Sequence, residues 1–98
     1  MAFDMYCCGE RAFIGHHEEG LFRLVDEDDQ FPQLSSIWRD FYKSPRILPD
    51  AANAIVHELI LLRTLITDEK PLLHAIDRLL PFFSRAYKTR TTIECASD

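Results

Sequence analysis

The chain has 98 residues and a formal net charge of −5, with 47% of positions apolar and 28% charged. That is the composition of one folded domain, and it excludes a disordered or membrane-spanning chain. Positions 1–38 hold eight carboxylates against Arg11 and Arg23 alone, whereas positions 39–98 hold eight against nine cations. So acidic a front repels phosphate backbones, which excludes nucleic acid and leaves a basic protein as the electrostatically easier partner.

Phe3, Met5 and Cys7 alternate with Asp4, Tyr6 and Cys8, the period of two that predicts a half-buried strand over residues 2–8. Gly9-Glu10 then reads as a two-residue turn into a second strand, Arg11 to Ile14, giving a β-hairpin. A short helix follows from His17 to about Asp26, with Leu21, Leu24 and Val25 on its apolar face. Glu18 and Glu19 fall in its first turn, where carboxylates suit the positive end of the helix dipole.

Pro32 suits the start of a second helix, whose apolar face carries Leu34, Ile37, Trp38 and Phe41 and which Ser44-Pro45 stops. Pro49-Asp50 opens a third, running to about Ile66. Its stripe is Ala52, Ile55, Val56, Leu59, Leu62 and Ile66. Ala51, Ala54, Ile60, Leu61 and Leu65 spread apolar surface beyond that stripe, which predicts either a central helix or a homodimer interface. Thr67-Asp68 reads as a cap for a fourth helix, in which Leu73, Ile76, Leu80, Phe83 and Tyr87 keep helical spacing across Pro81 and predict a kink there. Thr91 to Ala96 returns to alternation and predicts a last strand.

Together these elements predict a single α+β domain over residues 1–98. A small antiparallel sheet of three strands, the N-terminal hairpin plus the C-terminal strand, is covered on one face by about four helices. Phe3, Met5, Cys7, Ala12, Ile14, Ile93 and Cys95 are the sheet residues expected to point into the core.

Three cysteines, two of them adjacent, make a poor disulfide framework and point to a reducing cytoplasm. No secretory signal or membrane span is recognisable. Metal chemistry would have to start from His16-His17 and Glu18-Glu19, helped by His57-Glu58 or His74, but position 61 is leucine where a metalloprotease helix needs a second histidine. The run Asp26-Glu27-Asp28-Asp29 lacks the alternation, glycine and terminal glutamate of a calcium loop. Cys8 near His16 and His17 is the one candidate thiol–imidazole pair. Arg78, Arg85, Lys88 and Arg90 form a modest basic strip, most of which is explained as helix-end cations.

The preferred functional reading is therefore a non-enzymatic protein-interaction domain without metal or cofactor. Its recognition surface is expected at Asp26, Glu27, Asp28 and Asp29 and at the edge formed by Trp38, Arg39 and Tyr42. In size and acidity the chain resembles the small immunity proteins that neutralise bacterial toxins, a resemblance of composition that rests on no motif. It implies a bacterial, cytoplasmic inhibitor of a basic partner protein. The alternative is a small metal-dependent or cysteine hydrolase using His16 and His17.

Overall fold

The two ends of the chain lie side by side. A computed structural model describes residues 3–15, 18–26 and 28–97, with the backbone alone at Ser97. In it β1 (Phe3–Cys7) pairs antiparallel with β4 (Ile93–Ser97) on one side, matching Met5 to Cys95, and with β2 (Glu10–Ile14) on the other, matching Met5 to Ala12. All seven expected core residues of the sheet are buried, while Tyr6 and Phe13 stay exposed.

The sheet has four strands, not three, in the order β2-β1-β4-β3. The additional strand, β3, is Arg46–Ile47, which pairs with Glu94 and Ile93 of β4. Two residues are too few for alternation to register, and the flanking Pro45 and Pro49 read as punctuation. The hairpin turn is also displaced by one position from the expected Gly9-Glu10. Cys8 and Gly9 occupy it with φ of 58° and 77°, and Cys7 pairs with Glu10. Positive φ at both central residues is the I′ geometry that matches strand twist.

Four helices cover the buried face: α1 (Gly20–Val25), α2 (Pro32–Asp40), α3 (Pro49–Leu65) and α4 (Lys70–Lys88). The first is shorter than expected. Glu18 precedes it instead of serving its first turn, and Leu24 is exposed while Leu21, Phe22 and Val25 are buried. A short 3-10 turn, Phe41–Lys43, extends α2 until Ser44 adopts a left-handed conformation. Phe3 is the centre of an aromatic cluster, meeting Phe22, Trp38 and Phe41 edge-on at 5.4, 5.9 and 4.3 Å.

The stripe of α3 is buried as its spacing requires, apart from a half-buried Val56. It is not wrapped on all sides, however. Ile60, Leu61 and Leu65 remain exposed, because α3 packs against α4 and α2 and nothing covers its outer face among the described residues. The fourth helix runs unbroken through Pro81. Of its expected stripe Ile76 and Phe83 are buried, while Leu73, Leu80 and Tyr87 are half-buried and their preceding neighbours Leu72, Leu79 and Ala86 take the core positions, with Ala75 and Phe82 broadening the face. Thr67 and Asp68 make no side-chain cap for it; Glu69 occupies the cap position. No helix of the described residues is long and apolar enough to cross a membrane.

Two buried carboxylates tie these layers together, and neither has a local sequence signal. Glu58, on α3, accepts hydrogen bonds from the backbone N–H groups of Gln33 and Leu34 at 3.1 and 2.9 Å. It thereby satisfies first-turn donors of α2 that Phe31, at the cap position, has no side-chain oxygen to receive. Glu18 is only 3% exposed. Arg78 of α4 donates to both of its oxygens, Nη1 to Oε2 at 2.9 Å and Nη2 to Oε1 at 2.7 Å, and also reaches the carbonyl of Phe13 at 2.8 Å. Arg78 is thus a tertiary clamp on the edge strand, and the expectation of a helix-end cation fails for it. Arg85 pairs with Glu10 at the other end of the same strand, and Arg90 with Asp50.

Candidate functional site

Where α1 ends at Val25, the chain turns through Asp28, whose N–H bonds the Val25 carbonyl and whose own carbonyl receives the N–H of Phe31. This turn faces the corner between α3 and α4. The two corners enclose an open groove of about 420 Å³, lined by Leu24, Asp28, Phe31, Leu62, Leu65, Ile66, Thr67, Asp68 and Glu69. Phe31, Leu62 and Ile66 are buried and form its floor, whereas Leu24 and Leu65 are 47% and 58% exposed on its sides.

Each wall follows from local sequence. The third helix stops at Leu65, so Leu65 and Ile66 point in different directions: one into solvent beside the groove, the other into the core. Asp68 and Glu69 precede Pro71 in the first turn of α4 and are exposed. A second hollow, lined by Gly20, Asp68, Glu69, Pro71 and Leu72, shares that acidic pair, so the apolar surface continues past it. Gly20 leaves room there: an added Cβ would touch only the Leu72 side chain, at 3.8 Å.

Electrostatically the groove has one sign. Asp28, Asp68 and Glu69 are its charged lining residues, and no lysine or arginine lines it among the described residues. The carbonyl end of α3 adds the negative end of a helix dipole beside them. Apolar walls under a rim of one charge combine burial for affinity with a field that selects the sign of the ligand.

Of the residues anticipated from sequence, Asp28 is in this groove, where Oδ1 also accepts the N–H of Gln30 at 2.9 Å. Asp26 and Asp29 are exposed next to it in sequence, and Glu27 lies outside the described residues. The aromatic edge divides. Trp38 is half-buried, stacks on Phe22 at 5.1 Å and so packs one side against the core. Arg39 is exposed, and Tyr42, 66% exposed, lies under the ammonium of Lys43 at 5.6 Å. Neither lines the groove.

Asp68, Glu69, Leu24 and Leu65 were missed as site residues. The available signals were the apolar surplus that Leu65 adds to α3 and the acidic pair at the following corner, which reads as a helix cap. Of the hydrolase candidates, His16 and His17 lie outside the described residues, and His57 and His74 are exposed on α3 and α4. No three His, Cys, Asp or Glu side chains gather as a metal-binding group among the described residues. No family model, curated protein or solved structure matches the chain.

Proposed function

We propose that this chain is a non-enzymatic interaction domain that holds a cationic, amphipathic segment of a partner protein in the groove between the α1–α2 turn and the α3–α4 corner. The observation that carries the reading is the coincidence of two exposed leucines, Leu24 and Leu65, with three carboxylates and no lining cation among the described residues. An apolar anchor on the segment replaces water on the leucines, while flanking lysine or arginine faces Asp28, Asp68 and Glu69. The flanking Asp26 and Asp29 strengthen the field that steers such a segment inward. Three free cysteines support a reducing compartment such as the cytoplasm. The role is that of an immunity-type inhibitor, binding a basic partner and occluding it.

The test uses two synthetic amphipathic peptides of equal leucine content, one carrying lysine and one glutamate, titrated while backbone NMR shifts of the protein are followed. The lysine peptide is expected to shift signals at Leu24, Asp28, Leu65 and Asp68, with affinity falling as salt rises. Combined Asp28→Asn, Asp68→Asn and Glu69→Gln should weaken it at least tenfold. Equal response to both peptides, or shifts centred elsewhere, overturns the reading.

A second reading rests on the outer face of α3, where Ile60 and Leu61 are exposed beside Leu65. A two-fold contact through this face would make a homodimer. Light scattering across concentrations decides it, and a monomeric mass throughout removes it.

A further inference from the structure

Cys7 and Cys8 are brought together by an unusual backbone. Successive residues of a strand point to opposite faces, which would separate their sulfurs. Here Cys8 occupies the left-handed region with φ of 58°, a conformation that costs a residue bearing a Cβ. The result is that the two Sγ atoms lie 2.8 Å apart, with Cys7 buried and Cys8 exposed. Strain of this kind at a non-glycine position is a pointer to function. A type I′ turn is easily made with asparagine or aspartate before glycine, so the turn itself does not need a cysteine.

The surroundings favour a reactive thiol at Cys8. Thr89 Oγ1 is 3.3 Å from its sulfur and is in turn 3.0 Å from Thr91 Oγ1. Hydrogen bonds from Cys7 and Thr89, with the nearby Arg85 cation, hold the Cys8 thiol below its ordinary pKa. Burial, and then the contact with Cys8, push Cys7 up to about 11. An exposed, acidified thiol beside a second cysteine is the arrangement of a redox-responsive pair. Access is open, since the turn borders a hollow lined by Tyr6, Cys8, Gly9, Thr91 and Thr92 among others.

We infer that Cys7 and Cys8 form a dithiol–disulfide site, oxidised by low-molecular-weight disulfides of the glutathione class. In the first step the Cys8 thiolate attacks one sulfur of the small disulfide, an S–S bond breaks, and one small thiolate leaves with a mixed disulfide on Cys8. In the second, the Cys7 sulfur attacks Cys8 Sγ, gives up its proton, and expels the second small thiol. The protein dithiol loses two electrons, the small disulfide gains them, and both protein protons end on the two released thiols. Capping Cys8 also removes the neighbouring thiolate charge that opposes ionisation of Cys7, so the first step promotes the second. The ring formed between adjacent residues is strained, and strained disulfides are reduced readily by excess thiol, which makes the site reversible.

The experiment exposes the native, reduced protein to oxidised glutathione at neutral pH, quenches with acid, and counts free thiols and intact mass. The expected result is a fall from three free thiols to one, with loss of two hydrogens and a peptide map linking Cys7 to Cys8. Cys8→Ser, in the exposed turn, should retain both remaining thiols unmodified. Cys7→Ala should stop at the glutathione adduct on Cys8. The inference is overturned if wild-type protein keeps all three thiols, stops at the adduct, links to Cys95, or joins two chains. Circular dichroism of both variants checks their folding, so that a lost reaction in a folded variant reports the missing sulfur.

Discussion

Arg78 and Glu18, sixty positions apart, form a two-toothed ion pair in which the carboxylate is almost fully withdrawn from water and the guanidinium is about one-third exposed. The same guanidinium holds the Phe13 carbonyl, so one cation fastens the edge strand β2 and the approach to α1 onto α4. Removing Arg78 takes two guanidinium donors and their positive charge from the buried carboxylate, while the Gly15 N–H still reaches Oε1 at 3.0 Å. Breaking a fully buried pair from one side costs about 3–5 kcal/mol, and partial exposure of Arg78 lowers this to roughly 2–3 kcal/mol. Arg78→Ala should therefore lower stability to urea by more than Glu18→Gln. The double variant should lose well under the sum of the two single losses, and strict additivity would remove the clamp.

Glu58 carries a comparable role for α2. Glu58→Ala leaves the N–H groups of Gln33 and Leu34 without their acceptor at a buried helix start, a loss of about 1–2 kcal/mol on the scale of helix caps. Glu58→Gln, which keeps one acceptor oxygen, should lose less. Hydrogen exchange provides the specific readout. Protection of Gln33 and Leu34 amides should collapse in Glu58→Ala, while amides at the centre of α4 follow global stability alone. Unchanged protection at Leu34 would contradict the cap.

What was legible in the sequence was whatever repeats over a short window. The alternation from Phe3 to Cys7 and again at Ile93 to Cys95 marks strands because one sheet face is buried, and the α3 stripe from Ala52 to Ile66 marks a helix packed along one side. Glu18 and Glu58 could not be read correctly, because the Arg78 guanidinium and the α2 amides they hold lie far along the chain while their neighbours resemble a helix start or a metal motif. The groove has the same character. Its acidic run was visible, but Asp28 meets Asp68 and Glu69 only after α2 and α3 have folded back. Trp38, which composition marks as a recognition residue, is half-buried and stacks on Phe22.

Alkaline pH should erode stability through Cys95. Burial pushes this thiol from the ordinary 9.0 up to about 12, with the Glu94 carboxylate adding to the shift. The folded protein therefore keeps the proton over a range in which the unfolded chain has released it. Stability from the neutral buried thiol is complete below 9.0 and declines as pH rises towards about 12, at a limiting slope of about 1.4 kcal/mol per pH unit. Denaturation midpoints of the wild-type protein should fall across this window more steeply than those of Cys95→Ala. Equal slopes would show that the Cys95 thiol ionises alike in both states.

The hairpin turn offers a test in the opposite direction, towards higher stability. Cys8 and Gly9 both have positive φ, yet only the second is a residue that adopts it without steric cost. Asparagine tolerates the left-handed region far better than cysteine and is the preferred partner of glycine in a I′ turn. Replacing Cys8 by asparagine relieves the strain while forfeiting the weak sulfur contacts to Cys7 and Thr89. Cys8→Asn should consequently raise Tm by about 2–5 °C, whereas Gly9→Ala, which introduces a Cβ at φ of 77°, should lower it. The hollow around Gly9 is open, with nothing within 4 Å of an added Cβ, so any loss at that position reports backbone conformation alone. If Cys8→Asn destabilises the protein instead, the sulfur contacts outweigh the strain and the turn owes its stability to the pair of thiols.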